Sequence, residues 1–385
     1  MNVARQWCEG HTSPILCVGA ASGPEGLIVS GSEGGQITVW NQEGVIVGNL
    51  QLAGEDDCTS VIFSPSAPAQ LYVSHGETVS VVDYRNLKSS VEQFKGVGEE
   101  EINALALNET SSALAVADDS GAVRILDLPG GKVCRTLRRH TNICSSLAFR
   151  PQRPNNLVSV GLDMQVILWG LQKTRPLWTL NIQDILEEEE HHQQPGQLFN
   201  PPLAHCVTVS SCGNIVSCAA EDGRVHLIRI GSGSKLEQQG SVKAHSQGAS
   251  QAHFVNFLSH PYWLISGGND SHVALWDLSK HPVVEGKLKH QSAGNDGRRK
   301  KSKIKTKHKK KDRTAPLQEA EAQKDSCKEN ENAAETESVD SSKPKLKINH
   351  GEKVNWLCPA VLKGQPSVVV ADQSSSLTIY PLITE

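Results

Sequence analysis

Three kinds of residue cluster in this sequence could do chemistry. Ser, His and Asp recur together, as His140 with Ser159 and Asp163 and again as His245 with Ser266 and Asp270. Such a trio can serve as nucleophile, base and orienting carboxylate in acyl transfer. Cys206, Cys212 and Cys218 are evenly spaced, and Glu187–Glu190 runs straight into His191 and His192; thiolates, imidazoles and carboxylates are metal ligands. Residues 298–313, RRKKSKIKTKHKKKDR, gather cations that could meet phosphate.

Spacing argues against most of this chemistry. No Gly-x-Ser-x-Gly elbow presents a serine. There is no phosphate-binding glycine loop ending in Lys-Ser/Thr and no His-Glu-x-x-His. None of the ten cysteines forms a Cys-x-x-Cys pair, and the three evenly spaced ones match no zinc pattern. They read as reduced cysteines on strands in a reducing compartment. The Glu block reads as a solvated loop. The expectation is therefore a non-enzyme with no cofactor and no metal.

The elements that must position these residues are short. Gly is 32 and Pro 18 while Met is only 2, and the apolar runs are brief, which indicates β-structure with tight turns. No apolar stretch approaches the roughly 20 residues that cross a bilayer. The opening MNVARQWCEGH lacks an apolar core of secretory length, so a nuclear and cytoplasmic rather than secreted protein is expected. The formal charge of −4 splits into +10 on residues 298–313 and −14 on the remainder. An acidic body makes nucleic-acid binding through the folded part unlikely, because such a footprint is basic.

A repeat organises the chain. Each copy has a His, an apolar alternating run, a small-residue turn and a strand ending near Trp-Asp. The Trp places are Trp40, Val82, Leu126, Trp169, Ile228, Trp276 and Tyr380. The first intervals, 42, 44 and 43, match the roughly 40–45-residue unit of a four-stranded propeller blade. The next, 59, 48 and 104, fit the same unit with two discrete insertions.

This layout resembles the WD-repeat family over nearly the whole chain outside those insertions. The resemblance implies an all-β, seven-bladed WD-repeat β-propeller. It also implies a buried tetrad of His, Ser or Thr, Asp and Trp within a blade. His140, Ser159, Asp163 and Trp169 match it in blade four; His245, Ser266, Asp270 and Trp276 match it in blade six. Blade one has His11, Ser30 and Trp40, with Gly34 where Asp is expected. Blade five keeps His205 and Asp222 without the Trp, and blades two, three and seven are degenerate. A trio repeated blade by blade beside a Trp is a structural network rather than a catalytic triad.

The last repeat supplies only three strands, so Val3–Trp7 is expected to add its outer strand and close the ring. Residues 1–280 and 344–385 then form one propeller, with an acidic loop at 184–202. Residues 281–343 form a charged insertion between the third and outer strands of blade six. Its composition predicts disorder, and Arg298, Arg299, Lys300, Lys301, Lys309, Lys310 and Lys311 read as an import signal.

Propellers offer rigid surfaces to other proteins, so the expected function is a protein-interaction scaffold. A subset of WD-repeat proteins are substrate receptors of the cullin-4 ubiquitin ligase and carry Asp-x-Arg after the Trp place. Asp83-Tyr84-Arg85 fits that pattern at the end of blade two, although Val82 replaces the usual aromatic residue. The resemblance thus implies the ligase adaptor and unknown substrates as partners. The alternative is a nuclear, nucleic-acid- or chromatin-associated factor that uses the basic segment. Deleting residues 298–311 is expected to reduce nuclear accumulation of a fluorescent fusion; an unchanged distribution in cells would contradict the import reading.

Overall fold

A computed structural model describes residues 4–382 apart from 22, 24–25, 174, 185–199, 282 and 285–342. The short β-branched runs become strands of three to eight residues, as expected for side chains that pack well on a pleated surface. They assemble into seven four-stranded antiparallel sheets. Blade one holds Ile15–Ala20, Ile28–Ser32, Gln36–Trp40 and Ile46–Gln51. The next four blades follow the same order, and blade six ends on Leu346–Asn349.

The second strand of each blade is buried along nearly its whole length, as in Ile28–Ser32, Ile215–Ala220 and Trp263–Gly268. Both of its faces are covered, which is why these strands read as continuous apolar runs rather than alternating ones. The apolar clusters that cover them span neighbouring blades. One joins Val158 and Leu168 of blade four to Val207 and Ile228 of blade five.

The inner strands of all seven blades line a central channel of about 650 Å³. In blades one to six the inner strand is bulged between its first and third residues, as at Cys58/Ser60 and Cys144/Ser146. A bulge re-aims the residue it contains. In four blades that residue donates to the backbone of the next blade. Thr59 reaches the Ile102 carbonyl, Asn103 the Cys144 carbonyl at 3.4 Å, Ser145 the Ala204 carbonyl at 2.6 Å and Ser250 the Val354 carbonyl at 2.6 Å. The remaining seams use other donors. The Cys17 thiol meets the Cys58 carbonyl at 3.1 Å, Thr208 meets the Ala252 carbonyl at 3.2 Å, and the Ile15 amide meets the Ser374 carbonyl at 3.1 Å.

The ring closes as the open last blade requires. Arg5–Trp7 pairs antiparallel with Leu377–Ile379 and completes the sheet of Trp356–Leu362, Gln365–Ala371 and Leu377–Pro381; Val3 lies outside the described residues. Trp7 is buried and lies 5.9 Å from the Trp40 ring centre in a cluster shared by blades one and seven. Two glycines make room for these rings. A Cβ on Gly10 would come within 2.1 Å of Trp40, and one on Gly44 within 2.3 Å of Trp7.

Antiparallel order sends the chain out of each blade on two faces. Turns between second and third strands, and links to the next blade, leave on what we term the upper face. The other turns leave on the lower face. His272–Asp277 and Leu346–Asn349 pair directly as the third and outer strands of blade six. The chain leaving blade six stays packed as far as Val283, which is fully buried and whose carbonyl accepts from Arg229. For residues 285–342, the composition-based expectation of disorder in 281–343 falls outside the described residues.

Removing residues 1–8 is expected to lower the melting temperature, and Trp7→Ala alone to cost roughly 3–5 kcal/mol, as for other buried large aromatic truncations. Urea unfolding checks both; an unchanged midpoint for either variant would contradict the clasp.

Candidate functional site

The Ser, His and Asp side chains come together inside blades. In blade four, His140 Nδ1 lies 3.0 Å from Asp163 Oδ1, and Nε2 lies 2.8 Å from Ser159 Oγ. Trp169 Nε1–H donates to the same Ser159 Oγ at 2.8 Å. The carboxylate keeps the imidazole proton on Nδ1, so Nε2 accepts from the serine hydroxyl. Blade six repeats this arrangement: His245 is 2.8 Å from Asp270 Oδ1 and 3.0 Å from Ser266 Oγ, which accepts from Trp276 at 3.0 Å. Ser159 and Ser266 have no exposed surface. Each hydroxyl is held between His and Trp, so neither can reach a substrate.

The carboxylates tie loop to turn. Asp163 accepts from the Thr141 and Gln165 amides at 3.0 and 3.1 Å, and Asp270 accepts from the Ser246 amide at 3.0 Å. Burial opposes ionisation of both, but the hydrogen bonds outweigh it and keep each carboxyl below its usual range.

Other blades meet the same demand differently. In blade one, Ser32 replaces the carboxylate: His11 lies 2.6 Å from Ser30 Oγ and 3.0 Å from Ser32 Oγ, and Trp40 donates to Ser30 at 2.8 Å. Blade seven, degenerate by sequence, joins His350 to Tyr380 Oη and to Asp372, each at 2.9 Å. The phenol takes over from Ser and Trp together. Blade three uses a buried Arg124–Asp118 ion pair, with Glu99 2.9 Å from the same guanidinium. Blade two has a His75–Ser80 contact at 2.8 Å, with Gln93 Nε2 donating to the same Ser80 hydroxyl at 3.2 Å, beside buried Val82. Blade five corrects the sequence reading. His205 lies in the inner strand, at its bulge, and pairs with Glu221 at 2.8 Å, whereas Asp222 pairs with His226 at 3.0 Å.

Asp83, Tyr84 and Arg85 lie on the lower face of blade two. Asp83 ends the third strand, Thr78–Asp83, and the Tyr84 amide donates to the Ala69 carbonyl at 3.0 Å. Tyr84 and Leu87 pack against the apolar cluster between blades one and two. The Arg85 guanidinium grips Asp83 through Nε at 2.9 Å and Nη2 at 2.6 Å, and the Arg85 amide adds a bond at 3.0 Å. These bonds hold the Asp83 carboxyl down to about 2. The Arg85 side chain is 68% exposed against 21% for Asp83, so the fork stands out from the surface with its other Nη edge free of Asp83.

Cys206 and Cys218 are buried, which pushes both thiols up, and Cys212 lies in the turn between their strands. Among the described residues no group of three or more His, Cys, Asp or Glu could hold a metal ion. No helix among them is long and apolar enough to cross a membrane. Glu187–Glu190, His191, His192 and the basic run from Arg298 through Lys311 lie outside the described residues.

Seven closed four-stranded blades, six of them with a histidine in their polar contacts, define a seven-bladed β-propeller. Residues 3–41, 131–170 and 236–277 match the model of the WD domain, G-beta repeat, and these segments end in the three blades that keep the Trp. The chain is 27% identical over 297 residues to the WD repeat-containing protein 53 homolog of Dictyostelium discoideum, covering 72% of this chain and 79% of that one. It is also 28% identical over 207 residues to the ribosome biogenesis protein ytm1 of Botryotinia fuckeliana, covering 43% of this chain and 41% of that one. A third relative is methylosome protein WDR77 of Xenopus laevis, 28% identical over 164 residues, covering 41% of this chain and 48% of that one. WD-repeat proteins act as protein-interaction scaffolds, and the class is generally non-catalytic.

Asp163→Ala or Asp270→Ala is expected to destabilise by roughly 1–3 kcal/mol, because each leaves buried partners unsatisfied. Urea unfolding measures this; full stability in both variants would contradict the network's role. Stability should also depend on pH with a definite sign. Burial lowers His11 and His253 to about 4, and lowers His75 and His245 as well. The unfolded chain therefore takes up protons first as pH falls, and stability declines between about 6.5 and 4. A flat unfolding free energy across that window would refute the assignment.

Proposed function

We propose that this protein is a non-catalytic scaffold that docks on the adaptor of a cullin-4 ubiquitin ligase through Asp83, Tyr84 and Arg85, and so acts as a substrate receptor. The observation that carries the reading is the exposed fork at the end of blade two. Arginine suits this place because its guanidinium stays charged and offers five donors in a planar array. Asp83 uses part of that array and fixes its direction before any partner arrives, which lowers the ordering cost of binding. Tyr84 and Leu87, packed toward blade one, anchor the segment that carries it. The corresponding ends of blades one, four and six continue as WNQ, WGL and WDL and have no such arginine.

The basic run at 298–313 supports a second element of the reading, import into the nucleus. A nuclear factor that uses this run on nucleic acid or chromatin is the competing proposal. It draws on charge alone, since the run contains no aromatic residue for base stacking.

Affinity purification with mass spectrometry, comparing wild type and Arg85→Ala, tests the docking. The adaptor is expected with wild type, and recovery should fall by up to about tenfold with Arg85→Ala while thermal stability is unchanged. Failure of wild type to recover the adaptor would overturn the receptor reading. Equal recovery by both would remove the Asp83–Arg85 assignment and leave the scaffold.

A further inference from the structure

The lower face carries a cleft of about 460 Å³ where blade four meets blade five, lined in part by Gln152, Arg153, Asn155, Gln172, Lys173 and Ser234. Charge here runs against the rest of the molecule. The chain outside 298–313 carries −14, yet the cleft is lined by two cations and by no carboxylate. Among the described residues, the side chains of Arg153, Lys173, Asn155 and Gln172 have no hydrogen-bonding or ionic partner. Neighbouring charges are engaged elsewhere. Arg150 donates to the Gly213 carbonyl and to Asn214 at 2.8 Å, which ties blade four to blade five. Glu109 accepts from the Gln152 amide at 2.8 Å, and Lys235 lies against Glu237 and the face of Trp178.

The backbone around the cleft is fixed. The Leu171 amide donates to the Asn155 carbonyl and the Asn156 amide to the Arg153 carbonyl, both at 2.8 Å, and Gln152 Nε2 reaches the Ser211 carbonyl at 3.3 Å. Two cations with no ionic partner among the described residues are thus presented at a blade seam beside side-chain amides. Their chemistry differs usefully: Arg offers a planar fork and Lys a point charge. A phosphoryl group carries about −1.5 to −2 near neutral pH and three acceptor oxygens, so it meets two cations with more charge and one more acceptor than a single carboxylate brings. The volume lies within the roughly 300–1,000 Å³ of ligand clefts. The cleft has no aromatic lining on which a base could stack, and the acidic body disfavours a polyanion.

We propose that this cleft binds a phosphorylated side chain on a peptide segment of a partner protein, with Arg153 and Lys173 as the phosphate-holding pair. The site lies at the seam of blades four and five and does not depend on the docking assigned to Arg85 in blade two.

The test uses the full chain and a fluorescein-labelled peptide of about nine residues, with one central phosphoserine among Gly and Ser. Fluorescence anisotropy compares wild type, the double variant Arg153→Ala/Lys173→Ala, and Arg85→Ala. Saturable binding is expected with wild type and Arg85→Ala, at least tenfold weaker in the double variant, with inorganic phosphate competing. Far-ultraviolet circular dichroism melts confirm that the double variant is folded. A photo-crosslinker on the same peptide should mark residues 150–156 and 170–173. Equal affinity in the double variant, or crosslinks confined to 298–313, would overturn the proposal. A peptide with two glutamates in place of the phosphoserine that binds as tightly would overturn the phosphoryl assignment.

Discussion

The structure depends on the burial of each blade against two neighbours. The second strands carry apolar side chains on both faces, so a blade alone would expose both to water and a blade with one neighbour would still expose one. Burial of apolar surface is worth about 25 cal/mol per Å², and only a closed ring gives every blade two partners. Closure in turn requires a fourth strand beside Leu377–Pro381. Arg5–Trp7 provides it, and the Trp7–Trp40 contact makes the join part of a core rather than a bare edge.

Two sets of polar contacts work within that constraint. Inside blades, His-centred networks satisfy the groups that a tight turn brings beside buried strands. Between blades, a hydroxyl, amide or thiol on an inner strand, or a backbone amide, donates to a neighbour's carbonyl. Both sets are turned inward, and each of their hydroxyls and imidazoles is already engaged, although among the described residues the buried His75 Nδ1 has no hydrogen-bond partner. Chemistry available to a partner is therefore left to turns and blade seams, where Arg85 and the Arg153–Lys173 pair stand exposed. This separation suits a scaffold: surface residues can vary without disturbing the networks that hold the blades.

Much of this was legible in the sequence. The repeat showed itself because Trp169 and Trp276 stand at a fixed distance from their Ser and Asp partners, with a His upstream. The strand at Arg5–Trp7 could be placed because the last blade lacked one. Legibility failed where a different side chain met the same demand. Tyr380 joins His350 and Asp372 with no serine between them, and Arg124 with Asp118 fills blade three without any histidine. His205 misled because it resembles the loop histidine of other blades but sits at an inner-strand bulge. The seam contacts had no sequence signal, since Thr59, Asn103, Ser145 and Ser250 share only a register position that the bulge creates. Arg153 and Lys173 belong to different turns, and only the fold shows that they share a cleft.

The seven seams also govern how the molecule comes apart. In an open stack of repeats, breaking one interface releases everything beyond it, and the end unit can fray. Here each seam is one link in a loop. Loss of the Ser145–Ala204 link, or of the clasp at Arg5–Trp7, leaves the other blades joined in an unbroken series. A second opening must follow before any blade departs. The closed circuit thus converts local looseness into tolerance: strain at one blade leaves the remainder joined.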